Sequence, residues 1–299
     1  MEEGIRKVAV VGTGLMGTQI AILAVGYGYA VSVYDPDRES LYRSVGNIKQ
    51  LLRTSGDKCF FPTADWETDV DKLRRCSEIA DAVAGSDLVI EAASESIEVK
   101  REVFRKLDAL APRTALLATN SSSIPISRIE DATTRPELCV NLHFYQPAMG
   151  WLMVDVMGGT RTSPEAIKRA AGWVRSVGCI PLMLKKESLG FCFNRVWRSV
   201  KREVLSIWAG DVADFRDIDR SWMLAYRTPL GPFGMMDNIG LDVVYDVEMS
   251  YYNESKDPKD YPPEALKTMI DRKERGVKDG RGFYTYPDPE YSGTDFLKP

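Results

Sequence analysis

The sequence predicts an N-terminal α/β domain on a doubly wound, mostly parallel sheet, followed by a smaller all-α domain. Three observations carry that reading. Short β-branched runs alternate with helix-compatible stretches through residue 187. A glycine-rich turn, Gly12-Thr-Gly-Leu-Met-Gly17, follows the first of those runs. From 188 to 299 apolar residues recur only at helical spacing, so the chain divides into 1–187 and 188–299.

Lys7-Val-Ala-Val-Val11 has the composition of a parallel strand buried on both faces. It runs into the GxGxxG, after which Thr18 to Val25 continues as an apolar helix punctuated by Gly26 and Gly28. Ala30-Val-Ser-Val-Tyr34 is a second strand, and Asp35 stands at its end. An acid about 20 residues beyond the glycines is placed to meet the adenosine ribose of a dinucleotide. This is the Rossmann-type arrangement: glycines let the backbone approach the pyrophosphate, and helix N-terminal amides meet its charge. Asp35 selects NAD because it repels a 2′-phosphate; Arg38, close behind, is the residue that would favour NADP. Asp37 is placed to cap a helix reaching about Leu52, and Trp66, Val70 and Leu73 suggest a short helix. Asp87-Leu-Val-Ile-Glu-Ala-Ala93 is a core strand, Val99 to Leu110 a helix, and Ala115 to Thr119 a strand ending in Asn120-Ser-Ser-Ser123. Polar residues bunched after strand C-termini line the ligand crevice of such sheets, although Ser121 to Ser123 also suit a plain turn and N-cap before Pro125.

His143 is the only histidine of 299 residues. Val140, Leu142 and Phe144 alternate with Asn141, His143 and Tyr145, the period of a strand with one buried face. Asp155 follows inside the apolar run Leu152 to Met157, where a carboxylate needs a partner because burying it alone costs several kcal/mol. His143 is the available one. Ser163 to Val174 reads as a helix with Pro164 in its first turn, and Ile180 to Leu184 as an edge strand that tolerates Pro181. In the helical domain Trp197, Trp208 and Trp222 read as core or subunit-interface residues, and Pro287 to Pro299 as an irregular tail.

Composition narrows the class. With 44% hydrophobic and 27% charged residues and a formal net charge of −4, the chain has no footprint for nucleic acid. Its five cysteines lack CxxC spacing and one histidine is too few for an ordinary zinc site, so no metal is expected. The acidic start and the absence of a long apolar run predict a cytoplasmic protein without a membrane segment.

Gly12 to Gly17, Ile90-Glu-Ala-Ala-Ser-Glu95, Thr119 to Ser123, Leu142-His-Phe-Tyr-Gln-Pro147, Gly190-Phe-Cys-Phe-Asn-Arg195, Gly231-Pro-Phe233 and Gly282-Phe-Tyr-Thr-Tyr286 stand in an order that resembles the 3-hydroxyacyl-CoA dehydrogenases across nearly the whole chain. The resemblance implies hydride transfer between NAD and a 3-hydroxyacyl-CoA, with a place in fatty acid metabolism and a homodimer through the helical domain. It implies His143 as catalytic base, Asp155 as its carboxylate partner, and Ser122 and Asn194 at the reacting oxygen. Gly12, Gly14, Leu15, Met16, Gly17, Asp35, Asn120 and Ser122 would line the cofactor, with Glu95 and Lys100 on its nicotinamide side.

Three places depart from the family pattern. Asp155 stands where glutamate is usual; Gln146 stands where asparagine is usual, with Ala148-Met-Gly-Trp151 in place of an ordinary apolar linker; and the connection from Asp35 to Asp87, which in the family carries much of the CoA contact, is short and mixed in charge. Gln146 and Trp151 therefore shape the substrate pocket, and Lys49, Arg53 and Lys58 are the cations nearest the segment that would meet CoA. Two other readings stay open: a dehydrogenase of a free hydroxy acid or a cyclic or aromatic alcohol, and a nucleotide-binding or structural protein that has lost activity. Dehydrogenases of the 6-phosphogluconate type share a similar start, but their interdomain lysine has no counterpart in Ser188 to Asn194.

Overall fold

The computed structural model describes residues 4–55, 66–148 and 150–298. Two compact units divide at Phe193 and Asn194, where the sequence pattern put the change at 187 and 188.

The first unit contains β1 (Lys7–Val11), α1 (Leu15–Gly26), β2 (Ala30–Tyr34), α2 (Ser40–Ser55), α3 (Trp66–Asp71), β3 (Arg74–Arg75), α4 (Ile79–Val83), β4 (Leu88–Glu91), α5 (Ile97–Leu110), β5 (Leu116–Thr119), β6 (Cys139–Phe144), β7 (Met153–Gly158), α6 (Pro164–Ser176) and β8 (Ile180–Leu184). The eight strands form one sheet in the order β3-β2-β1-β4-β5-β6-β7-β8. Every neighbouring pair is parallel except β6 and β7. Pro181 sits in the edge strand β8, where a missing N–H is harmless. The two-arginine strand β3 carries no apolar signal and was not expected; pairing with β2 alone defines it.

Side-chain alternation explains the layers. Val8 and Val10, Leu88 and Ile90, and Leu116 and Ala118 pack with Ile20, Leu23 and Trp173 of α1 and α6, whereas Ala9, Val11, Val89 and Leu117 pack with Phe104 and Leu107 of α5. Helices cover both faces, so successive residues of a central strand are all buried. That corrects the reading of β6 as a half-buried strand: Cys139 to Phe144 are buried throughout. Val140, Leu142 and Phe144 join one core, and the polar residues on the other face are held by specific partners. Asn141 Oδ1, for example, accepts the Ile126 amide at 2.8 Å.

The second unit comprises most of α7 (Phe193–Ala209), then α8 (Phe215–Tyr226), α9 (Pro232–Ile239), α10 (Leu241–Ser255) and α11 (Glu264–Asp271) around Leu205, Met223, Phe233, Met236, Leu241 and Tyr284. Trp197 and Trp208 pack against that core. The tail is irregular, as expected, but it is anchored. Phe296 is buried, its carbonyl accepts Arg220 Nε at 2.9 Å, and Tyr291 meets Tyr284 edge-on with ring centroids 4.9 Å apart. Aromatic side chains spaced through an irregular segment anchor it, a signal that periodicity does not reveal.

Candidate active site

The glycine-rich turn lies where the sheet order reverses, between β1 and β4. Its three glycines do different work. Gly12 has φ +102°, and a Cβ there would sit 2.5 Å from the Ala92 carbonyl. A Cβ on Gly17 would fall 1.9 Å from the Gly12 carbonyl, so only glycine lets α1 pack this close to the turn. Gly14 has open space above it and caps α1 without a side-chain hydrogen bond. Backbone amides at the start of α1 therefore face a cleft of about 480 Å³ lined by Gly12, Gly14, Asp35, Ala92, Ser94 and Lys106. Close approach at Gly14, uncapped amides and an acid at the end of β2 are the arrangement a dinucleotide requires. Leu15 and Met16 pack half-buried on the core beneath it. The Asp35 carboxylate is held by the amides of Thr13 at 2.7 Å and Asp37 at 2.9 Å, which aims it without exhausting its lone pairs.

Beyond β4 and β5 lies a second polar group. Lys100 is buried, with Nζ 2.9 Å from Glu91 Oε1 and 3.2 Å from Glu95 Oε2. Glu91, at the end of β4 and fully buried, also accepts the Thr119 hydroxyl at 2.6 Å and the Ala93 amide at 2.7 Å. Glu95 Oε1 accepts the hydroxyls of Ser121 and Ser123 and the amides of Ser122 and Ser123, all within 3.1 Å. Burial raises the Glu95 carboxyl, but Lys100 and the serines outweigh it and hold the group down at about 2. Glu95 thus fixes the loop that presents Ser122, whose side chain is exposed. Asn120 Oδ1 accepts the Phe144 amide at 2.9 Å, tying the ends of β5 and β6 together. Glu91 was missed in the sequence, although a charge inside Leu88 to Glu91 asks the same question as Asp155 does.

His143 and Asp155 are cross-strand partners in the antiparallel β6–β7 register. Nδ1 lies 3.1 Å from Asp155 Oδ2, and both residues are almost completely buried. That engagement leaves Nε2 as the nitrogen for a reacting proton. Two further residues complete the surroundings. Phe191 stacks on the imidazole with ring centroids 4.5 Å apart and planes 5° apart. It does so from φ +53° next to Gly190 at +76°, a left-handed pair that costs about 1–3 kcal/mol for the non-glycine residue. The Tyr145 hydroxyl donates to Asp155 Oδ2 at 2.5 Å, and Trp151 stacks on Tyr145 at 5.9 Å between centroids. Gln146 is exposed beside them.

Asn194 is the second residue of α7 and opens the second unit. Lys49 is paired with Glu67 at 2.8 Å on the surface. Lys58 lies outside the described residues, and of Arg53 only its place in α2 is described.

A doubly wound sheet with a glycine turn at its switch point, an acid after β2 and a helical second unit defines the chain as an NAD-dependent oxidoreductase. The profile of the 3-hydroxyacyl-CoA dehydrogenase NAD binding domain matches residues 7–188, and that of the 3-hydroxyacyl-CoA dehydrogenase C-terminal domain matches 190–286. The chain belongs to the 3-hydroxyacyl-CoA dehydrogenase family. It is 30% identical to the human mitochondrial hydroxyacyl-coenzyme A dehydrogenase over 288 residues, covering 94% of this chain and 91% of the relative. It is also 30% identical to the 5-formyl-3-hydroxy-2-methylpyridine 4-carboxylate 5-dehydrogenase of Mesorhizobium japonicum, with the same coverage of 94% and 91%. A solved diketoreductase, described as acting on dicarbonyl compounds, superposes with a TM-score of 0.84 at 30% identity over 95% of this chain and 99% of its own.

Proposed function

We propose that this protein interconverts a 3-hydroxyacyl-CoA and a 3-oxoacyl-CoA, with His143 as the base. NAD, which the glycine turn and Asp35 would hold, would supply the acceptor for the hydride of the carbinol carbon in the oxidising direction. The hydroxyl proton leaves with it to His143 Nε2, which suits an imidazole whose ordinary pKa is about 6.5. Asp155 Oδ2 accepts the Nδ1 proton, fixes the tautomer and balances the imidazolium charge. Ser122, exposed on the loop that Glu95 anchors, would hydrogen-bond the reacting oxygen. The observation that carries the reading is the buried His143–Asp155 pair, since a lone histidine coupled to a buried carboxylate is the minimal acid–base apparatus for alcohol oxidation.

The thioester carrier rests on the family, and a second reading has an observation of its own. Trp151 is 40% exposed and stacks on Tyr145, an aromatic surface suited to a flat or cyclic alcohol. A turnover screen with NAD separates the two. A 3-hydroxyacyl-CoA is expected to show kcat/KM at least about a hundredfold above its free acid. Comparable values for both would move the protein to the second reading. A homodimer belongs to the proposal as well: the helical unit leaves Val196, Val212, Leu224 and Tyr226 exposed, and light scattering at the 33.5 kDa mass of one chain would refute it.

A further inference from the structure

We infer that Tyr145 is a positioning residue of the acid–base pair: its hydroxyl holds Asp155 against His143 and shares the carboxylate charge with it. The inference rests on His143 being the base.

Asp155 is fully buried in β7, yet no backbone amide donates to its carboxylate among the described residues. Its donors there are the His143 ring at 3.1 Å and the Tyr145 hydroxyl at 2.5 Å, both on Oδ2. Oδ1 is buried with no partner among the described residues. A carboxylate held through one oxygen by one titratable ring is free to turn about its last bond. A second donor on the same oxygen removes that freedom. Tyr145 is well placed to supply it, being two residues from His143 on the same face of the chain and 7% exposed. Its ring meets the imidazole edge-on at 4.6 Å, and Trp151 and Phe193 contact its other sides at 5.9 and 5.6 Å. Those aromatic neighbours fix the tyrosine, and the tyrosine fixes the carboxylate. The pairing has an electrostatic consequence. A hydroxyl that donates to Oδ2 withdraws part of the charge that would otherwise stabilise a protonated His143. The titratable groups that meet Asp155 are His143 of β6 and Tyr145 just after it, while β8 sets Leu182 opposite it.

Tyr145→Phe removes the hydroxyl and keeps the ring. Relieved of its competitor, the carboxylate stabilises the imidazolium more strongly, so the acidic limb of the kcat/KM profile for alcohol oxidation should move up by about half a pH unit or more. With the carboxylate less fixed, kcat should fall about fivefold to fiftyfold. NADH affinity by fluorescence and the thermal midpoint should stay near the parent values. A limb and kcat both unchanged would overturn the inference, as would a loss of activity that merely follows a fall in NADH affinity or thermal midpoint. A second variant guards the result. A longer carboxylate at 155 must displace the hydroxyl that now touches Oδ2, so Asp155→Glu should cost less in a Tyr145→Phe background than alone. Equal costs in both backgrounds would also sink the idea. If His143→Ala leaves kcat intact, the base assignment fails instead; if it abolishes turnover while Tyr145→Phe changes nothing, the base stands and only the role of Tyr145 is lost.

Discussion

Two buried aspartates, one in each unit, are held in contrasting ways. Among the described residues, Asp155 has a histidine and a tyrosine on one oxygen and nothing on the other. Asp219, in α8, has both oxygens filled: Oδ1 takes the Phe233 amide at 2.9 Å, and Oδ2 takes the Gly234 amide and the Tyr284 hydroxyl, each at 3.0 Å. Asp237 repeats the second pattern with the amides of Phe283 and Tyr284 and the hydroxyl of Tyr286. Glycine is required beside each, since a Cβ on Gly231 would come within 2.5 Å of Asp219 and one on Gly282 within 2.1 Å of Asp237. Backbone donors pin chain segments, so Asp219 and Asp237 are staples for the start of α9 and for the stretch from Phe283 to Tyr286. Asp155 pins no described backbone. In the proposed mechanism its task is to serve a group that titrates.

The largest test of that contrast is at His143. His143→Ala should lower kcat by roughly 10² to 10⁴ with NADH affinity nearly unchanged; collapse of NADH binding would make the ring structural. Next come the aspartates themselves, exchanged one at a time. Asp155→Asn keeps shape but loses the charge behind the imidazole, so kcat should drop roughly tenfold to a hundredfold while the thermal midpoint shifts little. Asp219→Asn turns one acceptor into a donor facing an N–H or hydroxyl. It should destabilise the protein by about 2–4 kcal/mol while kcat, measured where the protein is folded, stays near the parent value. Reversal of either pattern would erase the distinction between the two carboxylates.

How much of this was legible in the sequence follows from the kind of force involved. The strands of the first unit other than β3 came through because a parallel sheet covered on both faces forces continuous β-branched runs such as Val8 to Val11. The His143–Asp155 pair was legible because a charge inside an apolar run demands a partner and only one histidine exists. The roles of Tyr145 and Phe191 were not. Tyr145 acts through a register in which His143 faces Asp155, and Phe191 through a left-handed turn; neither leaves a period in the sequence. The motif blocks Gly231-Pro-Phe233 and Gly282-Phe-Tyr284 were readable as resemblance only. Their physical reason is the carboxylate beside each glycine, which the linear order hides.

The smallest expected effect tests the Asp219 staple by pH. Burial pushes the Asp219 carboxyl up to about 6, against the amides of Phe233 and Gly234 and the Tyr284 hydroxyl, which favour the charged form. A folded value above the ordinary 3.8 means the neutral form is the one that folding prefers. Stability from this group is therefore fully present below the unfolded value of 3.8 and is lost as pH rises through about 6. The amount is about 3 kcal/mol at most, since a tenfold change in an acid dissociation constant corresponds to about 1.4 kcal/mol. The carboxamide of the Asp219→Asn variant has no such titration. The difference in thermal midpoint between parent and variant should accordingly be greatest near pH 4 and shrink by about pH 7.5, above the folded value. A difference that stays flat, or widens, across that range would show that Asp219 is charged throughout and that its backbone donors, not burial, govern it.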